Sequence, residues 1–287
     1  MTLDEFQKLF LESMTLSEGT LNLYAITFKN LIGIVGGLNI EELTALNWEK
    51  YKKVRSANVS PVTTNIELRC LRAAMNRAVD WKLLAMNPFF RQKLCPVPES
   101  VPTFFSIDDF EKLIQAIRDV WFRLLVIVAV LTGMRRSEIT NIRWCDVDFA
   151  QNTIRIQSNG DFRTKAGKRR VIAVGATVMK ILSDLRPATV DNSQYVFTLK
   201  GKQITPALLT KKLKKAVKAS KVENQRLHFH SLRHTFASWL AQKGTSIYEI
   251  QKLLGHTDIK TTQIYAHLLP NELHKTVSQL EGMVELH

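Results

Sequence analysis

The 287-residue chain has little cysteine and no long apolar run, and these two absences exclude several classes of protein. Its three cysteines, Cys70, Cys95 and Cys145, lie far apart and show no paired spacing. They therefore predict neither a disulfide framework nor a zinc ribbon, and they fit a reducing cytosol. The most apolar stretch, Val120–Leu131, is too short to span a bilayer and contains Arg123, so it predicts a buried helix.

The amino terminus lacks an export pattern. It contains Asp4 and Glu5, and no basic segment followed by an apolar one occurs there. Internal repeats and low-complexity tracts are also missing from the sequence. We therefore expect a cytoplasmic protein without a membrane partner.

Positive charge is in excess. The formal net charge of +14 predicts a polyanionic partner, although it also fits ribosomal and membrane-surface proteins. Residues 1–98 hold 12 Lys and Arg against 9 Asp and Glu, whereas residues 99–287 hold 28 against 17. Most phosphate contacts are therefore expected in the second part. Residues 200–221 contain eight lysines and no carboxylate, which fits either a DNA contact or a solvated helix face.

Hydrophobic periodicity predicts two domains. Residues 1–90 have helical periodicity and almost no strand signal, while residues 91–103 carry prolines and little periodicity, as is typical of a linker. Residues 104–287 are expected to form the second domain. The predicted fold class is mainly α with a small antiparallel β-sheet (α+β).

The strand signal is concentrated between residues 153 and 174. Thr153–Gln157 alternates between apolar and polar residues, Phe162–Lys165 follows a polar turn, and Arg169–Val174 comes next. This pattern predicts a three-stranded antiparallel sheet whose last hairpin displays Lys165 near its tip.

Several basic side chains are candidate DNA contacts. In the helix predicted over Val62–Trp81, Arg69 and Arg72 lie off the apolar stripe, where they face either DNA or solvent. In the lysine-rich segment, the candidates are Lys211, Lys212 and Lys215.

Four short segments carry the residue types that a tyrosine needs to attack a phosphodiester. Arginines suit the non-bridging oxygens because the planar guanidinium donates two parallel hydrogen bonds and stays charged. A base must take the phenol proton and an acid must protonate the leaving oxygen. Arg135 follows a helix-breaking glycine, and His230 and Arg233 lie three residues apart on one helix face. His256 precedes Tyr265 by nine residues, and Lys165 occupies the predicted hairpin.

Each segment also has a simpler interpretation. Tyr265 alone fits an interfacial aromatic residue. His230 and His234 have a spacing that fits a metal site, but the helix lacks the glutamate of a zinc protease, so we predict no metal. Lys168 lies across the same predicted turn as Lys165 and remains its alternative.

Taken together, these segments make the chain resemble the tyrosine recombinases of the phage integrase and Xer family over nearly its whole length. Thr132–Glu138 matches the T-G-[L/M]-R-x-x-E pattern, and His230 with Arg233 matches H-x-x-R. The family's hairpin lysine, its L-G-H histidine and its nucleophile correspond to Lys165, His256 and Tyr265. The resemblance implies a helical core-binding domain followed by a tyrosine-recombinase catalytic domain.

The resemblance also implies residue roles. Tyr265 would form a 3′-phosphotyrosyl link, Arg135, Arg233 and His256 would bind the phosphate oxygens, and His230 would act as the base. Lys165 would be the acid and Glu138 a supporting residue. No ATP, metal or other cofactor would be required, since the covalent link conserves the energy of the phosphodiester.

The expected partner is double-stranded DNA with an inverted-repeat core site, bound by a homotetramer on two duplexes. The protein would be bacterial or phage-encoded and act on the nucleoid in integration, excision or dimer resolution. An amphipathic tail helix from Pro270 to Leu280 is expected to dock on a neighbouring protomer, or alternatively in cis. The alternative functions are a type IB topoisomerase and a catalytically inactive DNA-binding accessory protein.

Overall fold

The computed structural model describes residues 1–98, 101–158, 169–189, 191 and 194–270. Within it the chain forms two compact units, Met1–Ser100 and Val101–His287. None of the described helices is long and apolar enough to cross a membrane. The predicted strand Phe162–Lys165, with Lys168, lies outside the described residues, as does nearly all of the predicted tail helix.

The first unit is helical. Its helices are α1 (Leu3–Ser13), α2 (Glu18–Val35), α3 (Ala45–Asn58) and α4 (Pro61–Asp80). Helices α1, α2 and α4 each begin with a side-chain N-cap. The hydroxyls of Thr2, Ser17 and Ser60 each accept a hydrogen bond from a backbone N–H in the first turn. The apolar faces enclose a core that is rich in aromatic residues, including Phe6, Phe10, Phe28, Trp48 and Tyr51.

This unit extends past residue 90 into the predicted linker. The side-chain amide of Asn65 donates to the carbonyl of Cys95, and the backbone N–H of Cys95 donates to Oδ1 of Asn65 (2.9 and 2.8 Å). The indole N–H of Trp48 also donates to the carbonyl of Lys93. Residues 91–95 therefore belong with the first unit.

The second unit combines helices with two small sheets, which confirms the predicted α+β class. Its helices are α5 (Ile107–Ala116), α6 (Val120–Thr132), α7 (Arg136–Ile139), α8 (Ala176–Leu185), α9 (Pro206–Ser220), α10 (Phe229–Gln242), α11 (Ile247–Leu254) and α12 (Lys260–Gln263). Its strands are β1 (Val147–Asp148), β2 (Thr153–Ile156), β3 (Arg170–Ala173), β4 (Thr198–Leu199) and β5 (Lys202–Gln203). Helix α6 buries seven of its thirteen residues, among them Leu125, Val128 and Ala129 of the core of this unit, in line with the buried helix that its sequence predicts.

The larger sheet includes an upstream strand, β1, that the sequence pattern did not predict. Strand β2 pairs directly with β3, with Ile154 opposite Ile172 and Ile156 opposite Arg170. The other neighbour of β2 is the upstream β1, so the order is β1-β2-β3 and all pairs are antiparallel. The alternating pattern predicted β2 and β3, but the two-residue β1 is too short to show a periodicity.

Candidate active site

Arg135 stands at the start of α7 because a glycine ends α6. Gly133 adopts a left-handed conformation (φ 61°), and a Cβ there would lie 2.5 Å from Cδ1 of Phe236. Both the conformation and this close approach require glycine. The chain then turns so that the Arg135 side chain reaches Glu138, with Nη1 donating to Oε1 at 2.8 Å.

Arg170 is a member of the site that the sequence reading missed. Its Nη1 and Nη2 donate to Oε1 and Oε2 of Glu138 at 2.7 and 2.8 Å, forming a two-pronged ion pair. No motif distinguishes Arg170 from Arg169 beside it. The alternation of β3 was the available signal, because Arg170 lies on the same face as the buried Ile172.

Glu138 is the carboxylate that organises these two arginines. Its side chain is buried, and each oxygen accepts two hydrogen bonds, the fourth coming from the backbone N–H of Arg135 at 2.7 Å. Burial alone would raise the pKa of Glu138, but the hydrogen bonds and charges of Arg170 and Arg135 outweigh burial and bring it to about 2. The carboxylate is therefore ionised and holds both guanidinium groups in place.

Arg233 is a buried cation held by carbonyl groups. It is only 2% exposed on α10, and it donates to the backbone oxygens of Gly133 and Leu254 at 2.7 and 2.6 Å. Burial, and next the charge of Arg135, lower its pKa to about 9. Among the described residues no carboxylate forms an ion pair with Arg233, so it remains a positive charge that an anionic ligand would stabilise.

Tyr265 is 2% exposed and lies within electrostatic reach of this cation. It packs with Ala237 and Leu254, and its hydroxyl shares a 2.6 Å hydrogen bond with Nδ1 of His234. Burial raises the pKa of Tyr265 to about 12, although the charge of Arg233 acts in the opposite direction. The phenol is therefore protonated at neutral pH and must lose its proton before or during any attack.

His230 and His256 complete the cluster. His230 is an exposed residue, and its ring meets that of His234 edge to face at a centroid distance of 4.8 Å. His256 follows Gly255, another left-handed glycine, and its Nδ1 is 2.8 Å from Oγ1 of Thr262. The pKa of each of the two histidines is lowered to about 4, mainly by desolvation and further by neighbouring cations, so both rings are neutral at neutral pH.

Gly255 also ties the His256 segment to the arginine cluster. A Cβ at this position would lie 2.6 Å from Cδ of Arg170, so a side chain there would displace the arginine. The charges of Arg233, Arg135 and Arg170 all act on His256. The structure thus brings together Arg135, Glu138, His230, Arg233, His256 and Tyr265, while Lys165 lies outside the described residues.

The candidate DNA contacts divide into exposed and internally bonded side chains. Arg69, Lys211 and Lys215 are exposed. Arg72 instead donates to the carbonyls of Phe89 and Gln92 and stacks on Trp48, and Lys212 pairs with Asp119 and lies over Trp121. The latter two side chains help to hold their own units together, which makes the exposed residues the better candidates.

The described residues include no group of three or more His, Cys, Asp or Glu side chains placed to hold a metal ion. The paired spacing of His230 and His234 brings their rings into contact with each other, and His234 is bonded to Tyr265.

Similar proteins share this fold. A tyrosine recombinase of Thermosipho africanus is 27% identical over 274 residues, which cover 92% of this chain and 94% of that protein. The Tn1549 transposon integrase in complex with transposon right end DNA superposes with a TM-score of 0.80 at 19% identity, over 98% of this chain and 100% of that one. A lambda integrase in a tetramer bound to a Holliday junction gives a TM-score of 0.73 at 19% identity, over 90% of this chain and 78% of that one.

The sequence profile of the phage integrase family matches residues 103–272, which is more than half of the chain. This span includes the arginine cluster, both histidine segments and Tyr265. The chain belongs to the phage integrase family of tyrosine recombinases.

Proposed function

We propose that this site-specific DNA recombinase cuts one DNA strand with Tyr265, forming a 3′-phosphotyrosyl link and releasing a 5′-hydroxyl. A 5′-hydroxyl from the partner strand then attacks the link and releases the tyrosine. The observation that carries the proposal is the buried Arg233 within electrostatic reach of the Tyr265 phenol, a positive charge that has no carboxylate partner among the described residues. A phosphate that is being attacked is the anion this arrangement fits.

The two arginines have complementary properties for binding a phosphate. Arg233 is fixed by two carbonyls and Arg135 by Glu138, so neither guanidinium has to reorganise when negative charge develops on the phosphate oxygens. Preorganised donors of this kind typically contribute about 10²–10³-fold each to rate. We assign both arginines to the non-bridging oxygens, and His256 to a further hydrogen bond.

Two proton transfers are needed. We assign His230 as the base toward the phenol, which its neutral ring permits. Lys165, or alternatively Lys168, is the proposed acid for the leaving 5′-oxygen.

The proposed partner is double-stranded DNA with an inverted-repeat core site, bound by four protomers on two duplexes. The DNA complexes of two structurally similar integrases, one of them a tetramer, support this assembly. The proposed place of action is the cytoplasm. If the tail docks on a neighbouring protomer, truncation after Leu269 will impair tetramer formation and cleavage while sparing monomer binding.

A suicide substrate tests the function. The preferred site is first selected from random inverted-repeat DNA, and a duplex nicked near the cleavage position is then made from it, so that the short 5′-hydroxyl fragment diffuses away. Wild type should accumulate a covalent protein-DNA adduct without added metal or ATP, and Tyr265→Phe should bind the same DNA without forming one. An adduct with Tyr265→Phe, or none with wild type on the DNA that it binds, would contradict the proposal.

A further inference from the structure

The Tyr265 hydroxyl is bonded to His234, a residue to which the proposed reaction assigns no role. The Oη of Tyr265 and Nδ1 of His234 are 2.6 Å apart, and the ring centroids are 6.0 Å apart. Among the described residues, no other side chain shares a hydrogen bond with this hydroxyl. His230, the proposed base, contacts the His234 ring rather than the phenol.

The segment that carries Tyr265 gives the phenol little support of its own. Helix α12 has only four residues. Tyr265 comes two residues after it and directly before a short 3₁₀ turn, Ala266–Leu268, and its backbone N–H donates to the carbonyl of Thr262. The ring itself is packed against Ala237 and Leu254, but no regular helix fixes the backbone from which it extends. The orientation of its hydroxyl therefore depends on a contact from elsewhere in the fold.

Helix α10 provides that contact. His234 lies next to Arg233 on this fourteen-residue helix, and the helix is anchored because Arg233 donates to two distant carbonyls. The His234 ring is itself held between the edge-to-face His230 ring and the phenol. One rigid element thus carries both the phosphate-binding guanidinium and the hydrogen-bond partner of the tyrosine.

We propose that His234 is the positioning residue of the nucleophile, fixing the Tyr265 oxygen relative to Arg233 so that the phenol meets the bound phosphate in line. This inference rests on the proposed role of Tyr265. His234 does not need to accept the phenol proton. That proton passes to the base while the Oη–P bond forms and the P–O5′ bond breaks. What His234 supplies is a polar atom at the position of Nδ1.

Asparagine at position 234 separates positioning from proton transfer. Its side-chain oxygen or amide can occupy the place of Nδ1, but it does not take up a proton near neutral pH. We compare His234→Asn with His234→Ala, and use His267→Asn as the matched control, because His267 is exposed two residues beyond the tyrosine. Adduct formation is measured at saturating protein on the suicide substrate, and DNA affinity by fluorescence anisotropy.

His234→Ala should slow adduct formation by about 100-fold, the loss expected from a misplacement of about 1 Å, without changing DNA affinity. His234→Asn should recover most of that loss, and His267→Asn should react like wild type. Unchanged cleavage by His234→Ala would overturn the inference. An equal loss in His234→Asn would also overturn it, because proton transfer rather than position would then be the missing function.

A spectroscopic readout makes the test independent of cleavage. In protein labelled with ¹³C at the tyrosine ζ carbon, the Tyr265 signal is identified as the one missing from Tyr265→Phe. It should shift in His234→Ala and stay near its wild-type position in His234→Asn, and a signal that does not move in His234→Ala contradicts the inference. If wild type itself forms no adduct, the proposed function fails, whereas loss confined to the His234 variants concerns positioning alone.

Discussion

Among the described residues, each unit contains one buried glutamate bound by arginine, and the two sites differ in charge balance. In the first unit, Glu67 accepts two hydrogen bonds from Arg55, one from Tyr51 and one from Asn30, so one carboxylate faces one guanidinium. In the second unit, Glu138 binds both Arg135 and Arg170, and Arg233 lies within electrostatic reach.

The first arrangement is an electrically balanced structural ion pair. The second has three guanidinium groups around a single carboxylate, and the third of them is buried within electrostatic reach of the Tyr265 phenol. The difference favours an anionic ligand for the second cluster, since no described carboxylate forms an ion pair with its third guanidinium group. The following predictions test whether this contrast is real.

The largest effect is expected from removing the two carboxylates. Glu67→Gln and Glu138→Gln should each destabilise their own unit by about 3 kcal/mol, because each removes a buried carboxylate and leaves partly buried guanidinium charge without its partner. Sulfate should restore part of the stability of Glu138→Gln only, since three guanidinium groups bind an anion together in the second unit, whereas Arg55 is a single guanidinium group in the first. Chemical unfolding in sulfate and in chloride at matched ionic strength measures this, and equal restoration of both variants would remove the contrast.

Exchanging arginine for lysine should separate catalysis from stability. Arg233→Lys keeps a positive charge but loses the planar fork, and it should slow adduct formation by about 10²–10³-fold. Arg55→Lys, the matched change in the first unit, should lower stability and leave the cleavage rate of the bound complex unchanged. Single-turnover assays at saturating protein make the comparison, which would fail if both variants lost cleavage equally.

Mild acid should lower the stability of the second unit before that of the first. All seven histidines follow residue 227, and the folded-state pKa of His234 and of His256 is lowered from 6.5 to about 4, first by burial. A depressed histidine pKa means that the stabilisation is complete above pH 6.5 and is lost as the pH falls toward 4. The loss is on the order of 2 kcal/mol for each of these two groups, after allowance for their partial exposure.

Hydrogen exchange followed by mass spectrometry at pH 6.5, 5.5 and 4.5, corrected for the intrinsic pH dependence of exchange, resolves the two units. Peptides of the second unit should lose protection over this range, while peptides of the histidine-free first unit keep theirs. Parallel loss in both units would show that the buried histidines do not determine the acid response.

The smallest effect is expected at the surface. Replacing both Lys211 and Lys215 with glutamine should weaken DNA binding. It should also reduce the steepness of the plot of log K against log salt concentration by about 0.9 for each phosphate contact that is lost. Lys212→Gln should change the salt slope less, because Lys212 is already paired with Asp119. A larger change of slope for Lys212→Gln than for the double variant would reverse this assignment.

Local patterns predicted much of this arrangement. The helices of the first unit and strands β2 and β3 follow from the periodicity of apolar residues, and the motifs selected Arg233 together with Arg135 and Tyr265, which both lie within electrostatic reach of it in the fold. These features depend on residues that are close together in the sequence or on short spacings within one segment.

The missing parts depend on contacts between distant segments. Arg233 donates to Gly133, 100 residues away, and Arg170 reaches Glu138 across 32 residues. Arg72 fits a solvent-facing position by periodicity, yet it is bonded to carbonyls 17 and 20 residues further on. No helical or strand period contains such information, so the sequence could not show which arginines are free to bind DNA.

The most direct test of the account is to locate the bond between protein and DNA. The adduct trapped on the suicide substrate is digested with nuclease and trypsin, and its peptides are sequenced by tandem mass spectrometry. We expect the peptide that begins after Lys260 to carry the nucleotide, with the added mass on Tyr265. A nucleotide attached to any other residue would contradict it.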